Sequence, residues 1–429
     1  MHMTKNVTVF FLILGFSIMM LSFSGRAVPP PLEDAPYSIQ ETAENCFVIA
    51  GTTESDKIAW TNDAKLLKIN SYGEEEWNKT FGCPEYDSLK SIAIDQGNGY
   101  IMTGETVSTD LRKLWIAKTD LNGVMLWNKT YGSGWINGKS IQGTSDGNYI
   151  IIGYSDEYIS GEDINHKNWI NSAIDFAYRL FADTDVPGKN IYDSSEVYLL
   201  LIKADPDGNI LWEKTFRRSG YDYGFSVHET ADGGYILDGT TKNDKNRNQI
   251  WLIKTDFKGN EEWSRIFGGS KGNSIPAASI LQTSDGGFVL AGYTESFGEG
   301  GNDVWLIKTN KKGDEVWNRT FGGKDDDFGK DIQPTKDGGF VITGTTYSFA
   351  DKVLNPERWG DIWLIRTNAS GNELWNRTFA GVSWDDGYSV REASDGGFIL
   401  AGSTIANGGE AWIILKTDGQ GNEEWRKTY

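Results

Sequence analysis

The sequence predicts an all-β protein: a seven-bladed β-propeller of four-stranded antiparallel blades, with a helical insertion in blade 3. One predictive feature is a recurring motif of Trp, any residue, Lys or Arg, Thr or Ile, and an aromatic. It returns roughly every 50 residues, with one longer interval before Trp212. The other feature is the set of short β-branched and aromatic runs within each repeat. The seven motif tryptophans are Trp77, Trp127, Trp212, Trp263, Trp317, Trp375 and Trp425.

The sixth repeat shows how one blade is expected to form. Apolar runs at 330–335, 340–346, 361–367 and 373–379 predict strands A to D. Asp-Gly-Gly follows strand A and Gly-Asn precedes strand D, and these turn signals predict tight A–B and C–D hairpins. A sheet of this size cannot bury both of its faces alone, so the repeats must stack, and stacking around an axis gives a propeller. A linear solenoid is the alternative, although the sequence shows no polar capping repeat.

The repeats follow one another in the order A-B-C-D with no strand left over at either end. We therefore expect no blade to be shared between the termini, unless residues before Tyr37 add an edge strand. Ring closure would then depend on packing between the first and last blades. Blade 3 contains an insertion at 156–196, in which the apolar spacing over 168–183 predicts an amphipathic helix. The predicted blades span approximately 37–82, 83–132, 133–217, 218–268, 269–323, 324–380 and 381–429.

The N-terminus predicts export. Lys5 precedes an apolar run at 9–21, and the small residues around Ala27 predict cleavage of a signal peptide at 1–27. Residues 28–36, which contain three consecutive prolines, are interpreted as a linker. The predicted location is secreted or cell-surface. An uncleaved signal is the alternative, and it would anchor the protein in a membrane.

Composition excludes several functional classes. The formal net charge of −19 argues against a nucleic-acid partner, which needs a basic surface. The three histidines show no zinc-ligand spacing, and no nucleophile elbow or phosphate-binding loop is present. No cofactor is predicted, although Ca²⁺ could bind among acidic loops. Cys46 and Cys83 are predicted at opposite ends of the blade, too far apart for a disulfide.

Loop lengths assign the functional face. The A–B and C–D turns are uniformly tight, whereas the B–C and D–A loops at the opposite end, here called the variable rim, differ in length and content. Such variation predicts that the variable rim binds ligands. Asn368, in a C–D turn, is a candidate glycosylation site because it begins an Asn-x-Ser sequon. The candidate ligand-binding residues are Trp135, Tyr221, Asp222, Tyr223, Asp325, Asp326, Asp327, Trp384, Asp385 and Asp386.

The segment from Asp303 through Gly313 to Gly323 resembles the Trp/Gly-rich β-propeller repeats of exported bacterial and archaeal proteins. It is also similar to the repeat of quinoprotein propellers, in which a strand, a Gly turn and a Trp strand dock adjacent blades. The resemblance implies a propeller and is weak on function. Quinoprotein dehydrogenases look eight-bladed and carry adjacent cysteines beside the quinone. This chain departs from both features, so no quinone-binding residue is carried over.

Three functions remain open at this point. The leading hypothesis is an exported or cell-surface binding scaffold that presents the variable rim to a protein, a glycan or a cell-envelope component. The alternatives are a glycan-active enzyme with paired carboxylates at the channel mouth and a structural component of the cell envelope. Contact with a membrane is expected only through an uncleaved signal.

Overall fold

The computed structural model describes residues 34–56, 61–82, 86–95, 97–108, 111–132, 134–156, 196–271, 279–351, 359–381, 384–406 and 409–429. These residues form 28 strands in seven four-stranded antiparallel sheets. The predicted seven-bladed β-propeller is therefore confirmed. In the described part of the chain no helix is long and apolar enough to cross a membrane.

The strands follow the predicted A-B-C-D order in every blade. Blade 1 contains β1 (Ala35–Glu41), β2 (Phe47–Asp56), β3 (Thr61–Ile69) and β4 (Glu75–Phe81). Blade 2 contains β5 (Asp87–Ile94), β6 (Tyr100–Ser108), β7 (Leu111–Thr119) and β8 (Met125–Tyr131). Blade 3 contains β9 (Ile136–Gly143), β10 (Tyr149–Ser155), β11 (Tyr198–Ala204) and β12 (Ile210–Phe216). Blade 4 contains β13 (Tyr223–Glu229), β14 (Tyr235–Lys242), β15 (Asn248–Thr255) and β16 (Glu261–Phe267).

The remaining blades repeat the pattern. Blade 5 contains β17 (Ser279–Gln282), β18 (Phe288–Thr294), β19 (Asp303–Thr309) and β20 (Glu315–Phe321). Blade 6 contains β21 (Asp327–Pro334), β22 (Phe340–Thr346), β23 (Asp361–Thr367) and β24 (Glu373–Phe379). Blade 7 contains β25 (Asp385–Glu392), β26 (Phe398–Ala406), β27 (Gly409–Thr417) and β28 (Glu423–Thr428). Strand A of blade 6 starts earlier than predicted, because a bulge between Gly329 and Asp331 lets the ladder continue to Asp327.

The repeated tryptophan docks each blade onto the next. Its indole ring lies against the glycine of the following C–D turn, and that glycine has a φ of 72° to 79°. A Cβ atom on any of these glycines would lie between 2.4 and 2.8 Å from the ring. Glycine is therefore required for two reasons: the backbone is left-handed, and the indole ring lies too close for a Cβ atom. The pairs are Trp77–Gly123, Trp127–Gly208, Trp212–Gly259, Trp263–Gly313, Trp317–Gly371, Trp375–Gly421 and Trp425–Gly73.

The last of these pairs closes the ring. Trp425 lies on Gly73 of blade 1, and Tyr429 Oη donates a hydrogen bond to the Gly73 carbonyl. Trp412 Nε1 donates to the Thr52 carbonyl at 2.9 Å, and a shared core holds Ile49 of blade 1 against Trp412. Each sheet consists of four strands consecutive in sequence, so no described blade takes strands from both termini. Closure by packing between the first and last blades is thus as predicted.

Some predictions lie outside the described residues. These are the signal peptide at 1–27, the helix at 168–183 and Cys83.

Cys46 carries a free thiol, which donates to Glu76 Oε1 at 3.3 Å. The first strand begins at Ala35, within the segment interpreted as a linker.

Replacing a docking glycine is expected to cost more stability than replacing a turn glycine of the same backbone conformation. Gly313 and Gly286 have φ values of 78° and 77°, but only Gly313 faces a ring, whereas a Cβ on Gly286 would approach nothing closer than 4.0 Å. Gly286→Ala should lose about 1–2 kcal/mol from left-handed strain alone. Gly313→Ala should lose about 1–3 kcal/mol more, because Trp263 must move. Urea unfolding followed by tryptophan fluorescence measures both, and equal losses would contradict the docking role.

Candidate functional site: the central channel and its variable mouth

The A strands form the wall of a central channel with a cavity volume of about 400 Å³. Within the described residues, six of them carry a β-bulge at the same position, where one extra residue interrupts the ladder to strand B. A bulge redirects a side chain out of the normal alternation. The bulged residues, called the collar below, are Tyr37, Lys90, Lys139, Phe225, Lys330 and Tyr388.

Collar residues from four neighbouring blades form one continuous arc. Lys90 Nζ lies 3.7 Å from the centroid of the Tyr37 ring, and the Tyr37 and Tyr388 rings meet edge to face at 5.3 Å. Lys330 Nζ lies 4.2 Å from the Tyr388 ring centroid and forms an ion pair with Asp386. All four collar side chains of this arc are half-buried. The arc crosses the junction of blades 1 and 7, so it exists only because the ring closes.

On the other side of the channel the collar continues into aromatic residues of the variable rim. Lys139 Nζ lies 5.5 Å from the ring centroid of Tyr154, which itself packs edge to face against Tyr223 at 4.9 Å. Burial raises the pKa of Tyr154 well above its usual range, so its hydroxyl stays protonated. Cationic and aromatic groups therefore lie side by side around the mouth of the channel at the variable rim, here called the variable mouth.

At several junctions the residue that follows the collar residue accepts a hydrogen bond from the neighbouring A strand. The Ile92 amide donates to Ser38 Oγ at 3.4 Å, and the Ile141 amide donates to Ser91 Oγ at 3.2 Å. The same contact closes the ring, where the Ile39 amide donates to Ser389 Oγ at 3.4 Å. These inter-blade hydrogen bonds hold the collar residues, which directly precede the serines, in fixed positions.

Deeper in the channel the lining is polar. Arg391 Nη1 and the Val390 amide both donate to Asp331 Oδ2 at 3.0 Å, and Gln333 Nε2 donates to Asp331 Oδ1 at 3.0 Å. Gln142 Nε2 lies 3.0 Å from His228 Nδ1. Burial, with a smaller effect of the Arg391 cation, lowers the pKa of His228 to about 4, so the imidazole is neutral at pH 7.

The charge of the channel is opposite to that of the chain. Its lining includes three cationic side chains, Lys90, Lys139 and Arg391, against the single carboxylate of Asp331 among the described lining residues. The whole chain carries a formal charge of −19. An anion is therefore attracted to the channel and repelled by most of the remaining surface.

Four of the predicted rim carboxylates are buried within the protein. Asp222 accepts hydrogen bonds from the Arg218 and Ser219 amides at 2.7 and 3.0 Å, Asp327 from the Gly323 amide at 2.9 Å, and Asp385 from the Gly381 amide at 2.6 Å. Asp386 accepts from Thr345 Oγ1 and pairs with Lys330. The carboxylates of Asp222, Asp327 and Asp385 fix the D–A loops, because each compensates amides that would otherwise lack partners.

The other predicted residues are spread around the variable rim. Trp135 and Tyr221 are exposed, with Arg112 and Lys242 over their rings at 5.4 and 4.2 Å. Asp326 is exposed, and its Oδ1 accepts from the Asn302 amide at 2.8 Å. Tyr223 reaches the collar through Tyr154, and Asp386 reaches it through Lys330. The half-buried Asp325 and Trp384 also lie on this rim, and ligand binding by the rim residues stays a prediction.

Asn368, the candidate glycosylation site, lies in the C–D turn of blade 6. Its Oδ1 accepts hydrogen bonds from the Ser370 and Asn372 amides at 2.9 and 3.0 Å, as in an Asx turn. Glycosylation there stays a prediction.

The collar is the feature that sequence analysis missed. A signal for it exists, because a small residue, a large residue and Ser or Asp follow one another where the alternation of strand A breaks. Gly138-Lys139-Ser140 and Gly387-Tyr388-Ser389 show this pattern.

Comparison with known proteins found similar solved structures but no matching family. No protein-family model and no curated protein sequence matches this chain. The chain is similar to a protein of unknown function from Dyadobacter fermentans DSM 18053 (TM-score 0.46, 12% identity, covering 91% of this chain and 95% of that one). It is similar to Sqt1 from Chaetomium thermophilum (TM-score 0.47, 10% identity, covering 90% and 96%). It is also similar to the β-propeller domain of the Trilobed protease from Pyrococcus furiosus, which has an open velcro topology (TM-score 0.41, 10% identity, covering 92% and 96%).

Replacing His228 should flatten the acid dependence of stability. Its folded pKa lies below the usual value of about 6.5, so the unfolded chain binds the proton first as the pH falls. Stability is therefore lost as the pH drops from about 6.5 towards 4. The loss at pH 5 is about 1–2 kcal/mol after allowance for water in the channel.

Urea unfolding of the wild type and His228→Gln at pH 7.5 and pH 5 measures this difference, and the other titrating groups cancel in the comparison. The variant should lose less stability between the two pH values. If both proteins lost the same free energy of unfolding, His228 would have the same pKa in the folded and unfolded chains, which contradicts the prediction.

Proposed function

We propose that the protein is an exported or cell-surface binding module that takes an anionic glycan at the variable mouth of its central channel. The collar carries this proposal. Among the described residues, six A strands carry a bulged residue at the same position, and all six side chains are cationic or aromatic. Four of them, Tyr37, Lys90, Lys139 and Phe225, line the channel. A fold made of seven similar blades needs no such set for stability.

The chemistry of the collar suits a sugar with acidic groups. Tyrosine and phenylalanine rings bind the apolar faces of sugars, and the ammonium groups of Lys90 and Lys139 attract carboxylates or sulfates. A cavity of about 400 Å³ is within the range of small-ligand sites and admits the end of a glycan chain. An acidic peptide could form ion pairs with the lysines, but it would stack on fewer of the aromatic ring faces.

A binding role is favoured over hydrolysis by the carboxylates of the channel. A glycosidase uses two carboxyl groups on either side of the scissile bond. The described lining contributes one, Asp331, whose oxygens accept hydrogen bonds from Arg391 and Gln333. Export enters the proposal as the expectation drawn from the apolar run at 9–21.

Removing two collar lysines should weaken binding of acidic glycans. We expect the Lys90→Gln, Lys139→Gln double variant to lose about tenfold or more in affinity for uronic-acid-containing or sulfated oligosaccharides, because two charge-assisted contacts are lost. The salt dependence of binding should also decrease. Isothermal titration with acidic oligosaccharides and their neutral counterparts measures both effects.

The matched control is the double variant Lys311→Gln, Lys312→Gln. It removes the same charge from the exposed C–D turn of blade 5, on the rim opposite the variable rim. It should bind like the wild type. Equal affinity of the wild type for neutral and acidic sugars, or an equal loss in both double variants, would contradict the proposed site. Binding of acidic peptides in place of sugars would also contradict it.

A further inference from the structure

A second set of aromatic side chains lies outside the collar, at the variable rim. Among the described residues, the fourth residue before the collar residue is aromatic in blades 2, 3, 4 and 7, whereas blade 6 has Asp326 there. These residues stand just before strand A and therefore lie at the edge of the variable mouth. They are called the outer aromatics below, and they are Tyr86, Trp135, Tyr221 and Trp384.

Trp135 is held in a fixed position and keeps an open ring surface. Its amide donates to Asp156 Oδ1 at 2.8 Å, and the Asp156 amide donates to the Trp135 carbonyl at 3.1 Å. The Arg112 guanidinium lies 5.4 Å from the Trp135 ring centroid and 5.6 Å from that of Tyr86. Trp135 is still 48% exposed, so its free ring surface can stack on the apolar face of a sugar.

Contacts between side chains connect the collar to Arg112. Lys139 Nζ lies 5.5 Å from the Tyr154 ring centroid, and Tyr154 pairs with Asn137 in the ladder between β9 and β10. Asn137 Nδ2 donates to Glu105 Oε2 at 2.7 Å, and Arg112 Nη1 donates to the same oxygen at 3.0 Å. The Glu105 carboxylate is buried and compensated by these two donors, so it offers little repulsion to an acidic ligand.

The distance between the collar and Trp135 suits a chain of sugars. Trp135 stands four residues before Lys139, which corresponds to about 13 Å along a β-strand. A single sugar ring cannot contact both side chains, whereas an oligosaccharide can. Among the described residues only Nη1 of Arg112 donates a hydrogen bond, so the other N–H groups of its guanidinium can bind an acidic group of that chain.

We propose that the ligand of the variable mouth is an acidic oligosaccharide that begins at Lys139 in the channel and continues outward across Trp135 and Arg112. The inference rests on the glycan-binding function proposed above and adds the form of the ligand and its path. The path follows blade 3, because the collar residue of blade 4 is Phe225, which offers no charge to an acidic group.

The test is isothermal titration of the whole protein with the disaccharide and the hexasaccharide of one uronic acid, and with the same pair from a sulfated glycan. The wild type should bind the hexasaccharide of the preferred pair about tenfold or more tightly than the disaccharide, because only the longer chain reaches Trp135. Trp135→Ala should lose most of this gain and keep the disaccharide affinity within about twofold. Arg112→Lys keeps a cation beside Glu105 but loses the planar fork of donors, so it should lose part of the gain.

Two control variants should keep the gain with chain length. Phe257→Ala removes a 62% exposed ring that also has a lysine near it, Lys258 at 5.4 Å, but that lies on the rim opposite the variable rim. Tyr221→Ala removes the outer aromatic residue of blade 4. A loss of the gain in Tyr221→Ala and not in Trp135→Ala would overturn the path along blade 3.

The titrations also separate this inference from the proposed function. Equal affinity of the wild type for the two chain lengths, or an equal gain in the wild type and Trp135→Ala, would overturn the inference and leave the glycan site at the collar intact. Absence of binding at every chain length would overturn the proposed function and this inference with it.

Discussion

The contact between each D-strand tryptophan and the left-handed glycine of the next blade is the interaction on which the rest of the structure depends. A four-stranded sheet with two apolar faces is stable here only when both faces are covered, and the tryptophan fixes where the next blade sits. The guanidinium groups of Arg265, Arg319 and Arg377 lie over the tryptophan two residues before them, at 5.5, 5.3 and 5.4 Å, and cover its outer side. Because the seventh contact returns to Gly73, the ring closes without a shared strand.

Closure has a consequence for function. It brings seven A strands around one axis, so a residue type repeated at one strand position becomes a circle of side chains. The serine position is nearly uniform and joins the strands, whereas the bulged position before it varies and forms the collar. Lys90, Tyr37, Tyr388 and Lys330 come from opposite ends of the sequence and meet only across the closed junction. Several aspartates of the variable rim are buried and accept hydrogen bonds from loop amides, as Asp222, Asp327 and Asp385 do.

The fold could be predicted almost completely from the sequence, because the tryptophan period, the glycine turns and the strand pattern all specify the same blade. Three of the four strands of blade 6 have the predicted bounds, and the fourth begins three residues earlier, beyond its bulge, and ends one residue earlier. The site could not be predicted in the same way. An aspartate in a loop looks the same in sequence whether it faces solvent, like Asp326, or accepts buried amides, like Asp327. The collar was hidden because a bulge reverses the face of a side chain without changing the composition of the strand.

The most direct test of this account compares Trp425→Ala with Trp317→Ala in urea unfolding. In a closed ring both tryptophans dock one blade onto another, although Trp425 lies in the last strand of the chain. Both variants should then lose a similar free energy of unfolding, about 2–4 kcal/mol, in a single transition. If the repeats were an open array, Trp425 would have no following blade. A loss well below 1 kcal/mol for Trp425→Ala, with a full loss for Trp317→Ala, would contradict the closed ring.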